Sequence, residues 1–231
     1  MQDELVKNSQ ETWDAIAKSF DVTRRKPWKE VIDFIEKIPK SSFVADIGCG
    51  NGRHLIPCAQ HCKKVIGIDI SIELLKIVQK KLDKTNLTNV NLVHSDIVNM
   101  PFEDNVFDYV LFIASLHNIK DRDRRITALK EVKRILKKDG KAIVSVWSRW
   151  QDKYRKQFLK KWFTKTGEEE FGDIDIYWKQ HGLNIPRFYH LYSKREFVSN
   201  LKRAGFKTIE MQEVKLLSKK HPDNYFAVVS K

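Results

Sequence analysis

Three aspartates stand at or just beyond the ends of three apolar runs: Asp46 in "VADIGCGNG", Asp69 in "KKVIGIDI" and Asp96 in "NVNLVHSDI". The first stands two residues before Gly48, which is followed by Cys49, Gly50 and, two residues on, Gly52. Glycines at that spacing permit a tight strand-to-helix turn whose main-chain N–H groups face a ligand. The pattern is G-x-G-x-G, with Arg53 where a dinucleotide fingerprint would carry its third glycine. A carboxylate at the mouth of such a turn repels a pyrophosphate and suits a cation, which is the chemistry expected of Asp46. Asp69 is expected to accept hydrogen bonds from ribose hydroxyls. Asp96 is expected to meet an adenine amino group, with Ile70 and Ile97 sandwiching the ring and Ala114, at the end of a fourth apolar run, included in the same set. Together these residues ask for an adenosine with a positively charged amino-acid tail and no phosphate, which is S-adenosylmethionine. The alternative is that the three acids only cap helices.

The elements that must hold these residues alternate. "SFVADIG" reads as a buried strand and Gly52 opens a helix. "KKVIGIDI" is a second strand, followed by the amphipathic "SIELLKIVQKKLDKT". "NVNLVHSDI" and "VFDYVLFIAS" supply a third and a fourth strand. "DRDRRITALKEVKRILKKDG" reads as a helix stopped by Gly140, and "KAIVSVW" as a fifth strand. This is the order of a parallel doubly wound sheet with its ligand beyond the carboxyl ends of the strands. The stretch 148–190 is lysine- and tryptophan-containing and irregular, and is expected to be an insertion or lid. "SKREFVSNLKRAGF" restores a helix, and "KTIEMQEVKL" and "NYFAVVSK" close the chain as a hairpin turning around His221 to Asp223.

The chain has 231 residues, enough for one α/β domain with elaboration, and 42 % hydrophobic and 11 % aromatic content excludes a disordered class. No apolar run is long enough for a bilayer span and no signal-peptide pattern opens the sequence, so a cytoplasmic protein without membrane attachment is expected. Cys49, Cys58 and Cys62 are expected to be reduced thiols. His54, Cys58, His61 and Cys62 fall at helical spacings that invite a zinc reading, but Cys58 and Cys62 share one helix face with no second ligand-bearing element, so helix packing is preferred and no metal site is expected. The formal net charge of +13 favours a polyanionic partner such as nucleic acid.

"ADIGCGNG", "IGIDIS" and "SDIVNMPFEDNVFDYV" together resemble the class I S-adenosylmethionine-dependent methyltransferases. That resemblance implies a Rossmann-like seven-stranded sheet with helices on both faces and a C-terminal antiparallel hairpin. It also implies one methyltransferase domain over 1–231, with 1–40 a helical segment covering substrate and cofactor. Four further segments, "FDVTRRKPWKEVIDFI", "LFIASLHNIKDRDRRITALKEVKRILKKDGKAIVSVWS", "RFYHLYSKREF" and "NYFAVVSK", resemble the tRNA methyltransferases that esterify 5-carboxymethyluridine at the wobble position. Carried over on matching positions, the resemblance implies catalytic roles for Arg24, Trp147 and Tyr189 and substrate contacts for Arg24, Arg25, Lys26, Arg187 and His190. It implies tRNA as substrate and a small zinc-binding activator subunit as partner, the chain being otherwise a monomer. Where that family has a double histidine after the fourth strand, this chain has His117 followed by Asn118.

A carboxylate acceptor is ionised at neutral pH and needs no general base, so orientation would dominate catalysis, with Arg24 holding the acid and Trp147 or Tyr189 stacking on the base. Two other readings share the sequence: a methyltransferase for a small acid, quinone precursor or lipid, and a catalytically silent RNA-binding scaffold.

Overall fold

The computed structural model describes residues 2–164 and 170–231. Five strands run parallel at its centre: β1 (Phe43–Ile47), β2 (Lys64–Asp69), β3 (Val90–His94), β4 (Phe107–Ile113) and β5 (Leu136–Trp147). Two more, β8 (Lys207–Val214) and β9 (Asn224–Ser230), complete a seven-stranded sheet of order β3-β2-β1-β4-β5-β9-β8, in which β9 is antiparallel to both β5 and β8. The switch between β1 and β4 leaves a crevice at the carboxyl ends, where an open α/β sheet binds its ligand.

The central strands read as near-continuous apolar runs because both faces are covered. Against one face pack α5 (Arg122–Ile135) and α7 (Lys194–Arg203), contributing Leu129, Val132, Phe197 and Leu201. Against the other pack α2 (Lys29–Ile35), α3 (Leu55–His61) and α4 (Ile72–Thr85), contributing Ile35, Leu55, Val78 and Leu82. Ser71 caps α4 by accepting the Leu74 N–H at 3.1 Å, and Ser193 caps α7 through Glu196 N–H at 3.2 Å. The N-terminal α1 (Gln2–Thr23) lies along α4, where Asp14 accepts the Ser71 hydroxyl at 2.6 Å and the Glu73 N–H at 3.0 Å.

Two expectations are corrected. The helix expected to run to Gly140 ends at Ile135, and the chain enters β5 at once. Its last carbonyls are captured early: Arg134 C=O accepts Asn105 N–H at 3.0 Å and Ile135 C=O accepts Val106 N–H at 2.8 Å. Gly140 serves close packing instead, since a Cβ there would fall 2.9 Å from the Asp108 carbonyl. The stretch 148–190, expected to be irregular, contains α6 (Arg155–Thr164) and an antiparallel pair, β6 (Asp173–Trp178) and β7 (Ile185–His190), outside the main sheet. Alternation in "DIDIYW" and the His181-Gly182 pair, both at positive φ, were the signals for that hairpin. No helix among the described residues is long and apolar enough to cross a membrane.

Candidate active site

The turn after β1 is built from its glycines. Gly48 has φ +66°, and a Cβ on it would fall 2.1 Å from Ser115 Oγ, so no other residue fits between β1 and the segment after β4. Its N–H and that of Cys49 donate to Ile68 C=O at 2.7 and 3.0 Å. Gly50 N–H donates to Asp69 Oδ2 at 2.7 Å, and the other Asp69 oxygen accepts Ser71 N–H at 2.9 Å. Asp69 therefore braces the turn from the tip of the neighbouring strand. Burial raises its pKa, against three backbone hydrogen bonds that lower it.

Above this turn opens a cavity of about 750 Å³, roomy enough for a nucleoside cofactor and a second ligand. Gly48, Cys49, Gly50, Asp69, Ile70, Asp96, Ile97 and Ala114, all expected at the site from sequence, line it. Ala114 sits at φ +54°, a left-handed conformation that costs a non-glycine residue roughly 1 kcal/mol and is tolerated where a site demands it. Asp96 is already engaged: Arg124 Nη2 donates to it at 2.7 Å, so an adenine amino group would share that carboxylate with a guanidinium.

Two members of the set lie elsewhere. Gly52 is beneath the turn, where a Cβ would press on Val78 at 3.2 Å. Asp46 is 1 % exposed and behind the wall, with Oδ2 lacking any hydrogen-bond partner among the described residues. Burial, then the neighbouring Asp69 charge, push its pKa up to about 7, while Arg53 opposes them. An orphaned buried carboxyl below a bare turn, with a second carboxylate at its side, is short of one positive charge. That fits the sulfonium and ammonium of S-adenosylmethionine and argues against a phosphate.

Beyond the cofactor region the cavity wall is aromatic and cationic. Trp147, His117 and Tyr189 form a cluster, with Tyr189 stacked on His117 at 5.2 Å and on Trp147 at 5.0 Å between ring centroids. His117 Nδ1 accepts Trp147 N–H at 3.2 Å, and burial, reinforced by Arg187 and His190, drives its pKa down to about 3. It is neutral at physiological pH. Arg187, 6 % exposed, donates to the Tyr189 hydroxyl at 2.6 Å, and its guanidinium lies 4.8 Å from the Trp178 ring centroid and 5.7 Å from that of Trp13. Its Nε has no partner among the described residues, and burial lowers its pKa. Arg24 lies at the rim, 5.3 Å over Trp178.

The other residues expected to contact substrate stand apart. Arg25 and Lys26 are exposed and do not line the cavity. His190 is 1 % exposed on the far side of β7, between Asp173 Oδ1 at 2.7 Å and Glu196 Oε1 at 2.8 Å. It pins the hairpin to α7. Tyr189, with both neighbours stacked on it and 3 % exposed, leaves Trp147 the more accessible ring. The suggested zinc ligands do not converge: His54 Nε2 accepts Trp28 N–H at 3.2 Å, His61 Nε2 faces Ile38 C=O at 2.8 Å, and Cys58 and Cys62 contact each other. Sequence reasoning missed Trp13 and Phe20, which line the cavity, and Trp178, buried behind Phe20, because only the packing of α1 on the β6–β7 hairpin brings the three together.

The family described as "Methyltransferase domain" matches residues 45–144. A tRNA (carboxymethyluridine(34)-5-O)-methyltransferase of Schizosaccharomyces pombe is 32 % identical over 212 residues, spanning 87 % of this chain and 89 % of that one. This chain belongs to the class I S-adenosylmethionine-dependent methyltransferases. A tRNA (carboxymethyluridine(34)-5-O)-methyltransferase of Xenopus tropicalis is 36 % identical over 67 % of this chain, which spans only 24 % of that longer relative. A methyltransferase structure from Methanosarcina mazei shares the fold at TM-score 0.73 and 21 % identity, over 89 % of this chain and 98 % of that one. The cofactor of this methyltransferase is S-adenosylmethionine, and the glycine turn, Asp69, Ile70 and Ile97 line a single cavity with room for it.

Proposed function

We propose that this methyltransferase esterifies the carboxylate of 5-carboxymethyluridine at the wobble position of tRNA. The observation that carries the reading is Arg187: a buried guanidinium with a free Nε, set among aromatic rings in the same cavity as the cofactor turn. A planar base bearing an acid is the ligand such a wall complements. The fission-yeast relative, similar over nearly the whole chain, supports it.

When bound, S-adenosylmethionine supplies a methyl carbon made electrophilic by its sulfonium. The protein's work is then positional. Arg187, with Arg24 at the rim, orients the carboxylate, and a pair this buried also strips it of water. Trp147 presents the accessible ring for the splayed-out base. No residue has to remove a proton, which agrees with His117 being uncharged and already used as an acceptor. The resemblance brings a small zinc-binding activator subunit as a second partner, so the assay is run with and without it.

The test is transfer of labelled methyl to total tRNA from cells lacking the activity, followed by nucleoside mass analysis. A methyl ester on carboxymethyluridine is expected. Arg187→Ala should lower kcat/KM by about 10- to 100-fold, the range of a charged hydrogen bond, with cofactor affinity kept. Label on a different nucleoside, or only on a small acid, would overturn the reading.

A further inference from the structure

We infer that the loop joining β8 to β9, residues 215–223, is the docking element for a single-stranded loop of RNA at the cavity mouth. The inference rests on the tRNA reading above and adds where the nucleic acid is gripped. Leu216 and Leu217 line the mouth, and Leu217 is 94 % exposed, the most exposed of the large hydrophobic side chains described. An apolar side chain so exposed carries a hydration cost, which a ligand can relieve by covering it.

The loop that presents it is clamped twice. Asp223 Oδ2 accepts the N–H groups of Leu216, Leu217 and Ser218 at 2.7, 2.7 and 2.8 Å, while its Oδ1 accepts the Ser218 hydroxyl at 2.6 Å. From the facing segment before α6, Asp152 Oδ2 accepts the N–H groups of Lys219 and Lys220 at 2.9 and 3.1 Å, and Arg155, the first residue of α6, meets His221 Nε2 at 2.7 Å. Backbone donors hold the Asp152 carboxylate, and the Ser218 hydroxyl with backbone donors the Asp223 carboxylate, below the ordinary pKa, so both stay ionised and occupied.

The lysines are therefore left over. Lys215, Lys219 and Lys220 on the loop are exposed and make no ion pair among the described residues, and Lys153, at the same cavity and exposed, has only the Tyr154 ring, 5.1 Å from its Nζ. A rigid apolar tip ringed by cations matches an unpaired nucleotide loop, where bases stand bare beside phosphates. It matches a protein partner poorly, because lysine is depleted at protein interfaces.

The experiment compares full-length parent, Lys219→Ala/Lys220→Ala and Leu217→Ala for tRNA affinity across a salt series, with methyl transfer and S-adenosylmethionine binding measured alongside. The double variant should weaken tRNA binding and reduce the slope of log affinity against log salt by about 1.4, the value for two lost contacts on a single strand. Leu217→Ala should weaken binding by about 3- to 10-fold with the slope unchanged. Cofactor affinity and the thermal midpoint should match the parent in both. If the parent binds and methylates tRNA while both variants equal it, the docking element is wrong and the tRNA reading stands. Should the parent itself fail to bind tRNA, both are overturned. Variants that keep tRNA affinity but no longer retain the activator subunit would make the loop a protein interface and reject the proposal.

Discussion

Asp46 concentrates the cost of the cofactor site in one side chain. It is buried, its Oδ2 lacks a hydrogen-bond partner among the described residues, and burial with the neighbouring Asp69 pushes its carboxyl up to about 7 from near 4. As pH rises from about 4 to about 7, the unfolded chain releases this proton while the folded chain retains it. Its contribution to stability thus falls across that window and levels off above it, and Asp69, shifted the same way, adds to the slope. Asp46→Asn should flatten most of this dependence and raise ligand-free stability at pH 8 by about 2 kcal/mol, read from denaturant melts. The same substitution should weaken S-adenosylmethionine, because the bound cation stabilises the ionised acid. Calorimetry on the parent should show affinity rising from pH 6 to 8, a trend the variant lacks. An equal pH dependence in both proteins would remove Asp46 from the argument.

At the scale of elements, the β6–β7 hairpin is a roof fastened at two ends. Its base is held by Arg125, fully buried, which grips Glu170 through two hydrogen bonds of 2.7 and 2.8 Å, and by His190 between Asp173 and Glu196. Arg149 pairs with Glu196 behind them. At the other end, Ser19 Oγ on α1 accepts Trp178 Nε1–H at 2.8 Å and meets His181 Nδ1 at 2.7 Å. One hydroxyl thereby ties α1 to the strand end and to the turn. Ser19→Ala leaves a buried indole N–H unpaired, which costs about 1 to 3 kcal/mol. Amide exchange across residues 174–189 should quicken, and KM for the methyl acceptor should rise more than the cofactor Kd. Unchanged exchange there would show that the aromatic contacts of Trp13, Phe20 and Trp178 hold the roof without the hydroxyl.

The whole molecule carries +13 charges, while many of its acids are spent internally, as N-caps, strand-end braces and ion pairs. A field of that sign draws a polyanion to the protein and acts on its arrival more than on its final fit. Stopped-flow association with tRNA should slow by about 10-fold or more between low and physiological salt, whereas S-adenosylmethionine affinity should change little. Comparable salt sensitivity for the two ligands would place the charge effect at the cofactor site instead of over the surface.

Local pattern determined the cofactor half of this protein. Apolar runs ending in Asp46 and Asp69, the glycine turn and the alternating helices are contiguous features whose period and steric demands can be read residue by residue. They predicted the sheet, the C-terminal hairpin and most of the residues that line the cavity at the glycine turn. The substrate half was decided by tertiary structure, because its parts lie far apart in the chain. Arg187 becomes a buried cation only when Trp13 from α1 and Trp178 from β6 close around it. His190, its neighbour three residues on, turns to the opposite face and into a structural ion cluster, a consequence of strand alternation once β7 exists. Likewise Gly140 could be read as a helix stop until Asn105 and Val106, from another element, took the last carbonyls of α5. Short-range sterics are written in neighbouring residues, whereas which polar group is buried, and against what, follows only from the packed chain.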